Sequence, residues 1–190
     1  MDEMTSSPRE RLILPFMAPF YHKLAQPYGR AVFRIVIGGY LALEGWSKIL
    51  APMSSIPFAE MMGFYPGWLF SPLLSAVQFF GGLAIALGVL TRPVALANAF
   101  VLVVTLIYHY THPYGQAFLT PEGIAFLKAN AQYLTEAGQK RLLSDGGAVF
   151  LGLVQGKAEL GSIFWAAGAA IIAAFGGGKV SLDRLIGKEF

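Results

Sequence analysis

Four apolar stretches recur along the chain, separated by polar or proline-rich connections. They lie at about residues 30–50, 72–90, 93–110 and 159–175. Each is close to the roughly 20 mainly apolar residues that a helix needs to cross a bilayer. A helix also satisfies its own backbone hydrogen bonds where there is no water. The pattern predicts an all-α fold, a polytopic membrane four-helix bundle formed by residues 30–190.

The first stretch is polar along one face, although its other faces are apolar. At about 100° per residue, the positions on this face fall near one line. Charged side chains are expensive inside a membrane and usually face protein or water, and glycines let another backbone approach closely. We therefore expect this face to be the inner wall of the bundle. Its residues are Arg34, Gly38, Leu41, Gly45 and Lys48, with Glu44 beside them.

The second and third stretches are joined by a very short connection, Thr91-Arg92. Two helices with so short a connection form a tight antiparallel hairpin. The second stretch also carries small and polar positions that we expect to face other helices. These are Gln78, Gly81, Gly82 and Gly88.

Residues 111–158 form a long, mostly polar insert before the fourth stretch. Thr120-Pro121-Glu122 has the order of a helix start: a capping hydroxyl, a proline at the first position and an acid near the positive end of the helix dipole. Apolar residues then recur at helical spacing. We expect one extra amphipathic helix here, and a docking surface for partner subunits along its apolar line, Ile124, Leu127, Ala131 and Leu134.

Residues 1–29 form a separate N-terminal segment before the first stretch. Residues 1–11 are polar, so we expect them to be disordered or partly ordered. Residues 12–24 are apolar but too short to span a bilayer, and Pro15 and Pro19 interrupt them. This part is expected to lie at the membrane interface.

The composition narrows the class of protein. The 190 residues are 55% hydrophobic and 13% charged, whereas soluble domains carry about 25% charged residues. The formal net charge of +3 fits anionic lipid, and we expect no nucleic-acid partner. The chain has no cysteine, which excludes cysteine-ligated iron–sulfur clusters and thiol–disulfide exchange by the chain itself. Redox chemistry would need a bound cofactor or a partner.

The distribution of basic residues predicts the orientation. Four spans place both chain ends on the same side of the bilayer, together with the basic N-terminal segment, hairpin connection and C-terminal tail. Most basic residues of the other side lie in the insert, beside acidic ones. Because cytoplasmic loops carry an excess of Lys and Arg, we expect both termini to be cytoplasmic. The expected location is a bacterial cytoplasmic (inner) membrane, with the insert external.

Several spaced features resemble the DoxX family of small four-helix membrane proteins. The first stretch has the pattern from Arg34 to Lys48, and FAEMMGFYP then precedes the second stretch, which holds GGLAIALGVLTR at residues 81–92. The third stretch ends near a histidine, and VSLDRL follows a glycine stop close to the C-terminus. The resemblance covers about residues 30–110 and 157–185.

The resemblance implies a membrane oxidoreductase-like function, since the family includes the small subunit of a thiosulfate:quinone oxidoreductase. It makes a quinone the candidate ligand. Two features depart from the family pattern. The family usually has Glu where this chain has Gln78, which weakens a proton-transfer role there, and the insert at 111–158 is longer than the usual connection, which favours a docking surface particular to this chain.

A candidate polar cluster falls near the outer end of the predicted bundle when depth is counted at about 1.5 Å per residue. Aromatic residues lie at the same level, and aromatic walls with a few polar groups suit a quinone-like ligand. The cluster consists of Glu44, Lys48, Gln78, His109 and His112.

Each of these residues also has a simpler structural interpretation. Glu44 and Lys48 are four positions apart and could neutralise one another. Arg34 could reach the headgroups or hold the bundle together. His109 and His112 could share a metal, although histidines at a membrane edge more often form interfacial hydrogen bonds, and we assign no metal.

Two functions therefore remain open. In the first, the protein is a membrane component of a quinone-linked oxidoreductase system, which the resemblance and the polar cluster favour. In the second, it is a non-catalytic accessory subunit that docks or stabilises a larger respiratory or photosynthetic membrane complex. The long insert and the absence of cysteine favour the second.

Overall fold

The computed structural model describes residues 13–188, and this part of the chain is helical with no β-strand. The expectation of disorder at residues 1–11 lies outside the described residues. Short helical turns at Pro15–Met17, α1 (Ala18–Phe20) and Tyr21–Ala25 lead into the long helices. These and the later elements are α2 (Gln26–Leu50), α3 (Ile56–Met61), α4 (Gly67–Leu87), α5 (Thr91–Thr111), α6 (Pro121–Ala129), a turn at Ala131–Tyr133, α7 (Glu136–Leu142), α8 (Ala148–Phe175) and α9 (Leu182–Leu185).

The chain divides into two compact units. The first unit runs up to Val101 and resumes at Ala166, and the second unit is Leu102–Trp165. The first unit therefore contains α2, α3, α4 and α9 together with the start of α5 and the end of α8. The second unit contains the insert, the end of α5 and the start of α8.

In the first unit, α2 packs against α4 through glycines. A Cβ atom added at Gly38 would lie 2.5 Å from the backbone nitrogen of Ala86 and 2.6 Å from the carbonyl oxygen of Gly82. A Cβ atom at Gly45 would lie 2.7 Å from the backbone nitrogen of Phe79. Real Cβ atoms do not come so close to backbone. The two helices therefore touch backbone to backbone, as small residues allow in membrane helix pairs.

The buried face of α2 is the face that the sequence pattern predicts. Arg34, Gly38, Leu41 and Gly45 are buried, and Lys48 is half-buried. Apolar residues on the other faces stay exposed, as expected for a helix that faces lipid. The predicted rotation of this helix is confirmed.

Three helices of the described chain are long and apolar enough to cross a membrane, namely α4, α5 and α8. They identify an integral membrane protein. Helix α2 is not in this set, because it carries Arg30, Arg34, Glu44 and Lys48. The four-helix bundle, with α2 as a further span, stays a prediction.

Helix α4 begins earlier than the sequence pattern predicts, at Gly67 rather than at about residue 72. The side chain of Glu60 accepts a hydrogen bond from the backbone nitrogen of Gly67 at 3.0 Å. A side-chain acceptor for an N-terminal backbone donor stabilises the first turn. Pro72, the residue at which the second apolar stretch of the sequence begins, instead lies inside the helix.

Helix α8 also begins early, at Ala148 rather than at about residue 159. Asp145 accepts hydrogen bonds from the backbone nitrogens of Val149 at 2.9 Å and Gly147 at 3.0 Å. These bonds lower the pKa of the Asp145 carboxyl. A carboxylate at this end of the helix interacts favourably with the helix dipole, so the helix extends into the predicted insert.

The insert contains two short helices where the sequence analysis expects one. Thr120 caps α6 by accepting a hydrogen bond from the backbone nitrogen of Gly123 at 3.2 Å, as the predicted start requires. The helix ends at Ala129, and Thr135 then caps α7 through the backbone nitrogen of Gly138 at 3.2 Å. The prediction of one helix along the apolar line from Ile124 to Leu134 is wrong, because the first helix ends at Ala129 and a second capping threonine starts a new one.

Candidate functional site

Two members of the predicted polar cluster meet in the first unit. Lys48, near the end of α2, donates a hydrogen bond from Nζ to Oε1 of Gln78 on α4 at 2.7 Å. Both side chains are half-buried. Gly45 lies one turn before Lys48 and touches the backbone of Phe79. The close packing at this glycine therefore sets the short distance across which Lys48 reaches Gln78.

Charge and aromatic surface surround this pair. Glu44 lies one turn before Lys48, its side chain is exposed, and its negative charge attracts the ammonium group of Lys48. The rings of Trp46 and Phe79 have centroids 5.5 Å apart beside the pair. An ammonium group has three N–H donors, and one of them bonds to Gln78. The arrangement offers further donors next to aromatic surface at the end of a largely apolar helix.

His109 and His112 belong to the second unit and contact residues of that unit. The ring of His112 stacks on Tyr108 with centroids 4.5 Å apart and an interplanar angle of 12°. Its Nδ1 atom lies 2.9 Å from Oγ1 of Thr111. The ring of His109 lies 6.0 Å from that of Tyr114. Both rings therefore contact neighbouring aromatic side chains of the second unit, and the roles of the two histidines stay a prediction.

Gln155 on α8 forms three hydrogen bonds within the second unit, and the sequence pattern does not predict them. Its Nε2 donates to the carbonyl oxygen of His109 and to Oε1 of Glu159, each at 2.6 Å. Its Oε1 accepts from the backbone nitrogen of Tyr114 at 3.2 Å. Gln155 therefore joins the end of α5, the segment after it and α8.

Between Ile13 and Lys188, no group of three or more His, Cys, Asp or Glu side chains is placed to hold a metal ion.

A second polar network in the first unit holds the C-terminal segment, and we call it the C-terminal latch (Arg34, Gly88, Thr91, Val180 and Asp183). Arg34 exposes 3% of its surface and donates from Nη2 to the carbonyl oxygen of Val180 at 2.7 Å. The backbone nitrogen of Asp183 donates to the carbonyl oxygen of Gly88 at 2.8 Å. A Cβ atom at Gly88 would overlap the guanidinium of Arg34, so glycine is required there.

The carboxylate of Asp183 closes the latch at the start of α5. Its Oδ1 accepts from the backbone nitrogen of Leu90 at 2.7 Å, and its Oδ2 accepts from the backbone nitrogen and hydroxyl of Thr91 at 2.9 Å and 2.6 Å. Burial opposes ionisation of this group, but the hydrogen bonds from Thr91 and Leu90 and the charge of Arg34 outweigh it and lower the pKa of Asp183. The sequence signal for this residue is its position in VSLDRL, after the capping Ser181.

A protein-family model matches the part of the chain that contains most of these residues. The family model for DoxX matches residues 29–111. Residues 29–111 form a DoxX-family domain. The predicted resemblance is confirmed over this part of the chain, and the DoxX domain holds Arg34, Glu44, Lys48, Gln78 and His109, whereas His112 and Asp183 follow it.

The chain is also similar to a curated protein of Escherichia coli, the inner membrane protein YqjF. The two are 36% identical over 88 residues, which is 46% of this chain and 66% of that protein. The chain thus covers slightly less than two thirds of its relative. No solved structure matches the chain.

Proposed function

We propose that this DoxX-family membrane protein binds a quinone at Lys48 and Gln78 and serves in the oxidation or reduction of that quinone with a redox-active partner. The observation that carries the proposal is the 2.7 Å hydrogen bond from Nζ of Lys48 to Oε1 of Gln78 between two closely packed helices. A charged group within an apolar helix is expensive, and by default it indicates a functional site. The remaining donors of the ammonium suit a quinone carbonyl oxygen.

The proposed chemistry assigns a limited part to this chain. Reduction of a quinone to a quinol takes up two electrons and two protons. The electrons would come from a bound cofactor or from the partner, because a chain without cysteine holds no cysteine-ligated cluster. Lys48 would bind a quinone carbonyl oxygen and stabilise the negative charge that develops on it during reduction. The exposed carboxylate of Glu44, one turn away, would exchange protons with the membrane surface.

The proposal includes an orientation. Helix α2 would be the fourth span, both termini would lie in the cytoplasm of a bacterium, and the quinone site would lie in the outer half of the inner membrane. The supporting observations are the inner-membrane relative and the basic residues near the chain ends and the hairpin connection.

The proposal is tested by replacing Lys48 with a side chain of similar length and no charge. In purified Lys48→Met protein, we expect the affinity for an added quinone to fall about tenfold or more, because a charge-assisted hydrogen bond is lost from the site. Gln78→Leu should also weaken binding. Lys128→Met makes the same change on α6 of the insert and should bind quinone like the parent. Quinone binding is followed by fluorescence quenching, and folding by thermal melting in the same detergent.

The double variant Glu44→Gln with Lys48→Met separates this proposal from a pair of charges that only neutralise one another. If the two charges only balance, the double variant should be at least as stable as either single variant and keep its quinone. Parent-like quinone affinity in a double variant that melts like the parent contradicts the proposal.

A second function, an accessory subunit docked through the insert, is favoured by one observation. Phe126 and Tyr133 in the insert expose 68% and 81% of their surfaces, whereas Ile124 and Leu127 of the predicted docking line are half-buried. The exposed aromatic side chains, rather than that line, would meet a partner. Loss of a co-purifying subunit from Phe126→Ser with Tyr133→Ser, together with parent-like quinone affinity, would support this function.

A further inference from the structure

A polar cavity in the first unit gathers basic side chains from separate parts of the sequence. Its volume is about 310 Å³, and its lining includes one side chain from the start of α2, one from the start of α5 and three from the C-terminal tail. The five basic residues, which we call the basic pocket, are Arg30, Arg92, Lys179, Arg184 and Lys188.

The glycine turn after α8 shapes this pocket. Gly176 and Gly178 have φ angles of +73° and +74°, a conformation that favours glycine. A Cβ atom at Gly176 would lie 3.0 Å from Nε of Arg92, and one at Gly178 would lie 3.5 Å from Cβ of Arg30. The turn therefore packs next to both arginines, which line the same cavity.

The one acidic residue among the residues that line the pocket is already engaged. Asp183 accepts hydrogen bonds from Leu90 and Thr91 and exposes 3% of its surface. The positive charge of Arg34, which lies beside it in the C-terminal latch, acts on the same carboxylate. The lining of the pocket therefore carries five basic side chains and one carboxylate, an excess of positive charge.

We propose that the basic pocket binds a phosphate group, and that this phosphate belongs to the headgroup of an anionic phospholipid. Arginine presents paired N–H donors that match phosphate oxygens. Basic pockets at the ends of membrane helices bind lipid headgroups in this way. Phe175, at the end of α8, exposes 62% of its surface, and the guanidinium of Arg30 lies 5.8 Å from its ring centroid. The pocket thus has an apolar edge for an acyl chain beside its charged floor.

Lipid titration of the purified protein tests the proposal. The protein is placed in a neutral detergent, phosphatidylglycerol or phosphatidylcholine is added, and bound lipid is counted by native mass spectrometry. Phosphatidylglycerol should saturate at one bound lipid per chain and phosphatidylcholine should not. Arg30→Gln with Arg92→Gln should raise the apparent Kd about tenfold or more, because two charge-assisted contacts to phosphate are lost.

A matched control removes the same charge from the insert, in Lys128→Gln with Lys140→Gln, and this variant should bind phosphatidylglycerol like the parent. If the arginine variant fails to fold, the exposed tail pair Arg184→Gln with Lys188→Gln replaces it. Equal weakening in the pocket and control variants would show a general charge effect and overturn the proposal. So would binding of phosphatidylglycerol that rises without saturation.

A further experiment distinguishes a lipid headgroup from free inorganic phosphate as the ligand of the basic pocket. Inorganic phosphate at millimolar concentration should leave the bound phosphatidylglycerol in place, because it lacks the acyl chains that contact the apolar edge. Displacement of the lipid by inorganic phosphate would assign the pocket to free phosphate and overturn the lipid assignment.

Discussion

Asp183 stabilises the fold through hydrogen bonds that its position near the C-terminus does not indicate. Its carboxylate accepts hydrogen bonds from Leu90 and Thr91, and its own backbone nitrogen donates to Gly88. The same residue therefore holds the C-terminal segment in place and satisfies two backbone donors at the start of α5, of which that of Thr91 is buried.

Asp183→Asn should lower the free energy of unfolding by about 1–3 kcal/mol, because the amide offers one acceptor atom where the carboxylate offers two and carries no charge. The measurement is thermal or denaturant unfolding in detergent. Glu122→Gln makes the same acid-to-amide change at the exposed start of α6 and should change stability much less. Equal effects of the two substitutions on stability would contradict the stabilising role of Asp183 in the C-terminal latch.

The parent protein and Asp183→Asn also give a prediction for the pH dependence of stability. Because the folded-state pKa of Asp183 is lowered, its contribution is fully present above the unfolded pKa of about 3.9. The contribution is lost as the pH falls through the lowered, folded-state value. The stability difference between parent and Asp183→Asn should therefore be constant near neutral pH and shrink in acid. A stability difference that grows as the pH falls would contradict a lowered pKa of Asp183 in the folded protein.

Sequence alone gives two interpretations for Arg34, and the structure favours one. Arg34 is buried and bonds to Val180, a residue 146 positions away. Helical periodicity places Arg34 on an inward face, but it carries no information about which distant segment meets that face. The same limit applies to Asp183 and Gln155, which form hydrogen bonds with residues of other segments.

At the scale of elements, glycine positions decide how closely α2 and α4 approach. Gly38 and Gly82 face one another across backbone contacts, while a Cβ atom at Gly39 would meet nothing within 4 Å. Adjacent glycines on one helix thus differ completely in their surroundings. This contrast makes the packing directly testable.

Gly38→Ala or Gly82→Ala should force the helices apart and lower the free energy of unfolding by about 1–3 kcal/mol, the usual range for overpacking. Gly39→Ala adds the same methyl group to open space and should be neutral or slightly stabilising, because alanine favours the helix. Thermal melting of the three variants in one detergent gives the comparison. Equal melting of Gly38→Ala and Gly39→Ala would place the contact face elsewhere.

The sequence predicts the existence of helices better than their ends. The order Thr120-Pro121-Glu122 predicts the start of α6, and the spacing of polar and small residues predicts α2. The early start of α4 depends on Glu60, which reaches the helix across the loop after α3, and the path of that loop is not fixed by composition. The early start of α8 depends on Asp145, a local cap two and four residues before the nitrogens it accepts from.

At the scale of the whole molecule, orientation in the membrane is the open prediction. The chain has no cysteine, so a single introduced cysteine reports one position. In intact bacteria, an impermeant thiol reagent should label Gln132→Cys in the insert and should not label Ser7→Cys before the first helix. Permeabilised cells, in which both variants should react, provide the control. Labelling of Ser7→Cys alone in intact cells would reverse the orientation.

The central claim, a quinone site at Lys48 and Gln78, is tested most directly by photolabelling with an azido-quinone. After illumination and digestion, mass spectrometry should locate the label on peptides around residues 44–50 of α2 and 76–82 of α4. Unmodified quinone should compete for the label, and Lys48→Met should lose it while Lys128→Met retains it. A label that survives in folded Lys48→Met, or that falls on the insert, would contradict the account.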